Sequence, residues 1–399
     1  MAIFKISYKY RRILFILLIL TTIFQSICFG NYDSIEDTTI NTQSITEQIG
    51  ETFNLDSLIE DINKNVESIG IDNIDFYDIS TSLLKSNSLD YKTLLGKILS
   101  FLASEIMGSI KGAVTIFFLI IIMAIISNLQ LEKDSDVVKI AHLACFASMA
   151  TITVTSFIDI ISMFKQVVST LTTIMQIISP FLMTVLISTG AITSTGIIQP
   201  ILLFLASAIG FVVNYVIIPF FSISVAINVV CSISEKLKLQ KIGKMFSASS
   251  IWIIGIMLTF FLGVLSLETT LTSSVDSLAV KTTQTAVSNF VPVVGKFFSD
   301  SFETVVGATK VISNVGGTIG IVSIIIVSIV PIIKIASVMV VYMILSAIVE
   351  PICQEESVEK YISSFVTVYK NLLGVLIGIT ILFVISAGII LNLVNSVVK

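Results

Sequence analysis

The sequence lacks most of the side chains on which enzymes depend. Its 399 residues include one histidine, His142, which leaves almost no scope for a nucleophile–base pair or a histidine-bound metal. Its four cysteines lie far apart and form no Cys-x-x-Cys pair, so neither a disulfide framework nor a zinc site is indicated. The motifs G-x-x-x-x-G-K-S/T, H-E-x-x-H and G-x-S-x-G are missing. We therefore expect no enzyme activity, no cofactor, no metal ion and no nucleic-acid partner.

Charged residues are also scarce. They make up 13% of the chain, against 55% hydrophobic residues, whereas a soluble protein carries about 25% charged residues. The chain therefore has too little polar surface to cover a water-soluble fold. A helix needs about 20 apolar residues to cross a bilayer, and several segments are that long. The predicted fold class is an all-α, polytopic helical membrane protein with an N-terminal signal peptide and a small helical extracytoplasmic segment.

Residues 1–30 carry four bases and no acid. The basic part ends at Arg12 and an apolar run, Ile13–Ile23, follows it, as in a secretory signal peptide. Small residues at Cys28 and Gly30 predict cleavage after Gly30. The alternative is a retained first transmembrane helix. Both interpretations place residue 31 outside the cytoplasm, because the basic flank stays inside.

Residues 31–105 hold 14 acids and 4 bases, a net charge of −10. The first twenty are polar and linker-like, and helical spacing of apolar residues begins near Phe53. This acidic extracytoplasmic segment is predicted to contain short amphipathic helices. They form either a solvated cap on the membrane domain or a docking surface for a partner outside the membrane.

The remaining chain divides into a first membrane part, 106–267, with about six spans, and a second, 318–399, with two or three. Ile197–Val230 is too long for one crossing, so we expect two spans that meet near Asn214 and Pro219. Ile319–Val349 contains Pro331 and Lys334 and is expected as two short spans, with one long kinked helix as the alternative. The single spans are predicted at Ile110–Ser127, Ile140–Phe164, Val167–Ile187, Ser250–Leu267 and Leu372–Leu393.

The most basic loop of the membrane domain is Ser234–Phe246. It holds Lys236, Lys238, Lys241 and Lys244 against one acid. Five spans that start outside at residue 105 bring this loop to the cytoplasmic side, as the positive-inside rule requires. The four lysines either orient the protein only or form a specific cytoplasmic contact.

Residues 268–317 are too polar for a span and too apolar for a free loop. Interfacial or re-entrant helices fit best. Within them, Val291–Ala308 has apolar residues at helical spacing, and Pro292 suits the first turn of a helix. Lys296, Asp300 and Glu303 are distributed around this helix. The segment is either an assembly surface or a lid on the membrane surface.

Polar residues inside spans are expensive, so each is a candidate site. Asp159 could pair with Lys165, Asn214 and Asn228 could bond between helices, and Lys334 could lie at a turn; otherwise these residues line a polar path. Small residues at helix contacts are predicted at Gly374/Gly378 and Gly316/Gly320. Equal spacing of 39 residues from Pro180 to Pro219 and from Pro292 to Pro331 suggests a weak internal repeat, as in some transporters.

The segments SEKLK at 234–238 and NFVPVVGKFFSDSFETVVGA at 289–308, with the Gln199-Pro200 helix start, resemble the stage III sporulation protein AE family. The resemblance is strongest over residues 166–310. The overall plan of signal, acidic segment and polytopic domain is also similar.

This resemblance implies a membrane subunit of a multi-protein, secretion-like channel between mother cell and forespore in endospore formation. The implied location is the mother-cell membrane around the forespore. The implied partners are other membrane and extracytoplasmic subunits, the lipid bilayer and a cytoplasmic ATPase. A self-sufficient secondary transporter with broken helices is the alternative function.

Overall fold

The computed structural model describes the backbone of residues 60, 107–108, 110, 112–126, 136–188, 192–233, 239–290, 294–352 and 356–397. Side chains are described for Glu60, within 107–126, and over 140–188, 192–233, 239–265, 317–351 and 357–391. All of them belong to one unit, Phe53–Lys399. The signal peptide, most of the acidic segment, Lys236, Lys238 and Pro292 lie outside the described residues.

The described part of the chain is helical and contains no strand. Seven helices follow one another: α1 Gly112–Ile126, α2 Asp136–Ser188, α3 Ile192–Val212, α4 Ile218–Ile233, α5 Gln240–Phe290, α6 Val294–Ile352 and α7 Glu356–Val397. A five-residue π-helical turn, Val213–Ile217, joins α3 to α4 without a break. Five of the resulting rods are long and apolar enough to cross a membrane, which confirms the predicted all-α, polytopic membrane fold; the signal peptide and the extracytoplasmic segment stay predictions.

Helix α7 forms the centre of the bundle. It packs against α2, α4, α5 and α6, and its buried residues point to several sides, among them Tyr361, Phe365 and Leu372. It reaches α2 through Tyr361 and α5 through Gly374 and Gly378. These positions lie on different sides of α7, so α2 and α5 are separated by it.

Two glycine contacts set close helix approaches. A Cβ atom at Gly378 would lie 2.7 Å from Cγ2 of Ile254 on α5, and one at Gly320 would lie 2.6 Å from Cδ1 of Ile178 on α2. Such distances are too short for carbon atoms. Cγ2 of Ile254 branches directly from Cβ and cannot move away, so the approach at 378 requires glycine, whereas at 320 a larger residue would require the free end of Ile178 to shift. The predicted helix contacts at Gly374/Gly378 and at Gly320 are confirmed.

A layer without charged residues crosses all the long helices. It comprises 166–188 of α2, 192–213 of α3 and the π-turn, 245–265 of α5, 317–333 of α6 and 371–391 of α7; on the rod of α3 and α4 the uncharged stretch continues beyond this layer to Ile233. The α2 part holds 23 residues, about 35 Å of helix, and a bilayer core is about 30 Å thick. We call it the charge-free layer.

One edge of this layer is marked by lysines. Ile178 of α2 packs at Gly320 of α6. Lys165 and Lys334 lie 13 and 14 residues from that contact, in the same direction because the helices are antiparallel, so both are about 20 Å from it. With Lys244 and Lys370 they form what we call the lysine edge: Lys165, Lys244, Lys334 and Lys370, all exposed.

The structure differs from three of the predicted span boundaries. Ile140–Phe164 and Val167–Ile187 belong to one helix, Ile197–Val230 forms one rod through the π-turn, and Ile319–Val349 lies in a single helix. The polar residues at 165, 214 and 334 coincide with the lysine edge and not with turns. A helix that leaves the bilayer keeps its backbone hydrogen bonds, so no reversal is needed there.

The segment 268–317 is helical wherever its backbone is described, and its interfacial or re-entrant position stays a prediction. Its backbone continues α5 to Phe290 and begins again with α6 at Val294. Lys296, Asp300 and Glu303 lie in the first turns of α6, and their side chains are outside the described set.

Candidate functional site

A cavity lies at the lysine edge where α2 meets the π-turn. It has a volume of about 370 Å³ and is lined by Lys165, Asn214, Tyr215 and Ile218. The cavity thus brings together Asn214, which was predicted as a candidate site, and Lys165, which was predicted as the partner of Asp159.

The π-turn positions the polar groups of this cavity. Its wide turn is closed by the N–H of Ile218, which donates to the carbonyl of Val213 five residues earlier. Pro219 follows and has no N–H to donate, so the regular bonding pattern is interrupted here. As a result Asn214 lines the cavity and Tyr215 is exposed.

Only one of the two polar atoms of the Asn214 side chain is hydrogen-bonded within the described residues. Its Nδ2 donates to the carbonyl of Gly210 at 2.8 Å, while its Oδ1 is buried and accepts no hydrogen bond from the described residues. A buried acceptor without a donor costs about 1–3 kcal/mol. The residues that line the cavity thus include one buried acceptor without a donor, Oδ1 of Asn214, and one ammonium group, that of Lys165.

A second polar cluster lies inside the bundle between α2, α6 and α7. The hydroxyls of Thr153 and Tyr361 are hydrogen-bonded, and Tyr342 bonds the side chain of Ser156. The Tyr342 ring lies 5.5 Å from that of Tyr369, measured between centroids. The Tyr369 hydroxyl is buried and has no partner within the described part.

Asp159 lies at the margin of this tyrosine cluster. Its charge acts on the Tyr369 hydroxyl, but its own side chain is exposed on the outer surface of α2. The structure shows no ion pair between Asp159 and Lys165, which lie six residues apart and so project from different parts of the helix surface. The predicted pair is therefore not formed within one chain.

Ser224 of α4 makes a third polar contact, with the start of α5, whereas Oδ1 of the neighbouring Asn228 is buried and accepts no hydrogen bond from the described residues. Ser224 donates to the carbonyl of Gly243 at 2.7 Å, and Asn228 is buried, with its Oδ1 3.1 Å from where a Cβ of Gly243 would lie. On the α7 side of α5, Asn371 of α7 donates to the hydroxyl of Ser247 of α5 at 3.0 Å. Asn228 is thus a packing residue between helices, not part of the cavity.

The remaining predicted lysines lie on the surface. Lys241 and Lys244 are exposed in the first turns of α5, and Lys334 is exposed on α6. They do not converge with Lys165 and Asn214. The tyrosine cluster was not predicted from the sequence; the signal that could have found it is the presence of three tyrosines within the uncharged stretches 335–349 of α6 and 361–369 of α7, where a hydroxyl needs a partner.

The outer surface of α2 is polar over most of its length. Exposed side chains recur at helical spacing on one face, which we call the polar face of α2: Thr151, Thr155, Asp159, Ser162, Gln166, Ser169, Gln176, Thr184 and Ser188. Several hydroxyls bond back to their own helix, as Thr151 does to Ala147 at 2.8 Å and Thr184 to Pro180 at 2.9 Å. Asp159 carries a charge and Gln176 makes no hydrogen bond to described residues.

The surface formed by α3 and α5 has the opposite character. Its exposed side chains are large and apolar: Phe204, Phe211, Trp252, Ile256 and Phe260. Trp252 is 73% exposed and Phe260 63%. Such a surface suits lipid chains, whereas the polar face of α2 does not.

Comparison with known proteins gives two matches. The family described as Stage III sporulation protein AE matches residues 74–393. The chain is similar to Stage III sporulation protein AE of Bacillus subtilis (strain 168), with 26% identity over 259 residues, which make up 65% of this chain and 65% of that relative. No solved structure matches the chain.

Proposed function

Because the chain belongs to the stage III sporulation protein AE family, and so has a role in spore formation, we propose that it is a membrane subunit of a multi-protein conduit between mother cell and forespore. Its place would be the mother-cell membrane around the forespore. Its partners would be other membrane and extracytoplasmic subunits, with energy supplied by a cytoplasmic ATPase. It would have no enzyme activity of its own.

The polar face of α2 is the observation that supports assembly with other proteins. A charged or amide side chain that faces lipid at membrane depth is costly, and such residues almost always face protein or a water-filled cavity. Gln176 lies ten residues inside the charge-free layer and is exposed. In the proposed assembly this face is covered by another subunit or lines the conduit.

Photo-crosslinking from matched positions tests this proposal. A benzophenone amino acid replaces Gln176 on the polar face or Phe260 on the apolar surface; both positions lie well inside the charge-free layer, about 16 Å and about 24 Å from the lysine edge along their helices. In sporulating cells, position 176 should crosslink to protein and position 260 to lipid.

The alternative, a self-sufficient secondary transporter, makes a different prediction. It requires no partner on α2, so positions 176 and 260 would both yield lipid adducts. The purified protein alone would then move solute across liposomes. That combination would contradict the conduit proposal.

A further inference from the structure

The cavity at the lysine edge has the features of a site for an anionic lipid headgroup. It lies beside Lys165, where the charge-free stretch of α2 ends, and the end of that stretch corresponds to the depth of lipid phosphate groups. Lys165 contributes an ammonium group and Tyr215 an exposed phenol. Within the described residues neither side chain makes a hydrogen bond or an ion pair. Both are therefore available to an external anion.

Asn214 adds a requirement that phosphate alone does not meet. Its buried Oδ1 needs a hydrogen-bond donor, and an ionised phosphodiester has none. A headgroup that carries a hydroxyl beyond the phosphate supplies this donor. The two demands together, a negative charge and a hydroxyl donor, describe a phosphoglycerol headgroup.

The surface below the cavity is suited to acyl chains. Tyr215 packs against Phe211 with ring centroids 4.8 Å apart, and Phe204 follows two turns further into the charge-free layer; its side chain is 65% exposed. These rings form an apolar track on the same rod as the cavity. A soluble anion would make no use of this track, whereas a phospholipid would cover it.

We propose that the cavity lined by Lys165, Asn214 and Tyr215 binds an anionic phospholipid with a hydroxyl-bearing headgroup. Lys165 pairs with the phosphate, and the headgroup hydroxyl donates to Oδ1 of Asn214. The acyl chains lie along Tyr215, Phe211 and Phe204. The inference rests on the cavity and the charge-free layer and does not depend on the proposed conduit.

Lys334 provides a matched control. It is a lysine at the same depth, also exposed, on a different helix, and it does not line the cavity. A general attraction between lysines and an anionic membrane would therefore act on Lys165 and Lys334 alike. A specific site would distinguish them.

The experiment uses the full chain in detergent micelles, with bound lipid counted by native mass spectrometry. Phosphatidylglycerol, phosphatidylcholine and phosphatidylmethanol, an anionic lipid without a headgroup hydroxyl, are offered separately. The wild type should retain phosphatidylglycerol most strongly. Lys165→Gln should weaken that retention about fivefold or more, as expected for one lysine at an anionic surface, and Lys165→Arg should restore most of it. Lys334→Gln should leave it unchanged.

Asn214→Leu tests the hydroxyl requirement. This variant should bind phosphatidylglycerol and phosphatidylmethanol equally, because the acceptor is gone. Equal losses in Lys165→Gln and Lys334→Gln would overturn the proposal in favour of non-specific attraction. Displacement of the lipid by millimolar inorganic phosphate or glycerol phosphate would overturn it in favour of a site for a soluble anion.

Discussion

Replacement of Gly378 by alanine tests whether the close contact between α7 and α5 or the low helix propensity of glycine has the larger effect on stability at this position. An added Cβ at Gly378 would lie 2.7 Å from Cγ2 of Ile254, while one at Gly374, a turn earlier on the same helix face, would lie 3.4 Å from Cδ1 of Ile251. The first neighbour is fixed, because it branches directly from Cβ. The second is the free end of a flexible side chain and can move.

The expected free energies follow from these distances. Alanine in place of glycine gains up to about 1 kcal/mol in a helix interior. Overpacking of a rigid contact costs about 1–3 kcal/mol, so Gly378→Ala should lower the free energy of unfolding by about 1–2 kcal/mol. Gly374→Ala meets an ordinary contact and should leave it unchanged or raise it by up to about 1 kcal/mol.

Unfolding in mixed micelles, followed by circular dichroism, measures both variants. Ile254→Ala removes the obstructing methyl group, so the loss caused by Gly378→Ala should shrink or vanish in that background. Equal stabilities of the two glycine variants, or a Gly378→Ala loss that Ile254→Ala does not reduce, would refute the assignment of this contact as the limit on helix approach.

Two further predictions concern buried hydroxyls and topology. Tyr369→Phe removes a buried hydroxyl that has no partner in the described part, so it should leave the free energy of unfolding unchanged or raise it. Tyr361→Phe breaks the hydrogen bond to Thr153 and should lower the free energy of unfolding by about 1 kcal/mol. The same unfolding assay measures both variants, and a larger loss for Tyr369→Phe would contradict the structure. In intact cells a cysteine at Glu60 should react with an impermeant maleimide and one at Gln240 should not, because the predicted topology places residues 31–105 outside and the basic loop Ser234–Phe246 inside; the reverse labelling would invert the topology.

The sequence predicts which segments form apolar helices better than it predicts where the chain turns between them. Apolar length alone identifies the helices, and small residues at Gly374/Gly378 identify a close contact. It does not reveal that the helix continues past Lys165 or Lys334. A charged residue inside an apolar stretch marks the edge of the bilayer core equally well whether the chain turns there or runs on as helix, so the two cases give the same pattern.

The candidate cavity was only partly predictable, for a different reason. Asn214 and Pro219 mark an irregularity, and the structure places a π-turn beside them. That Lys165 meets Asn214 depends on the antiparallel packing of α2 and α3, which no local pattern encodes. The tyrosine cluster has the same origin, because its members come from α6 and α7 and its partners Thr153 and Ser156 come from α2.

The length of α5 and α6 beyond the charge-free layer has a mechanical consequence. From Leu265 the backbone of α5 continues as helix for 25 residues to Phe290, about 38 Å, and α6 begins at Val294 and reaches the layer at Gly317. A stiff rod of that length is a lever. A tilt of about 10° where it leaves the bilayer displaces its far end by about 7 Å, enough to break or make a contact there. Small rearrangements among packed membrane helices would thus be amplified at the far end of α5, at Phe290.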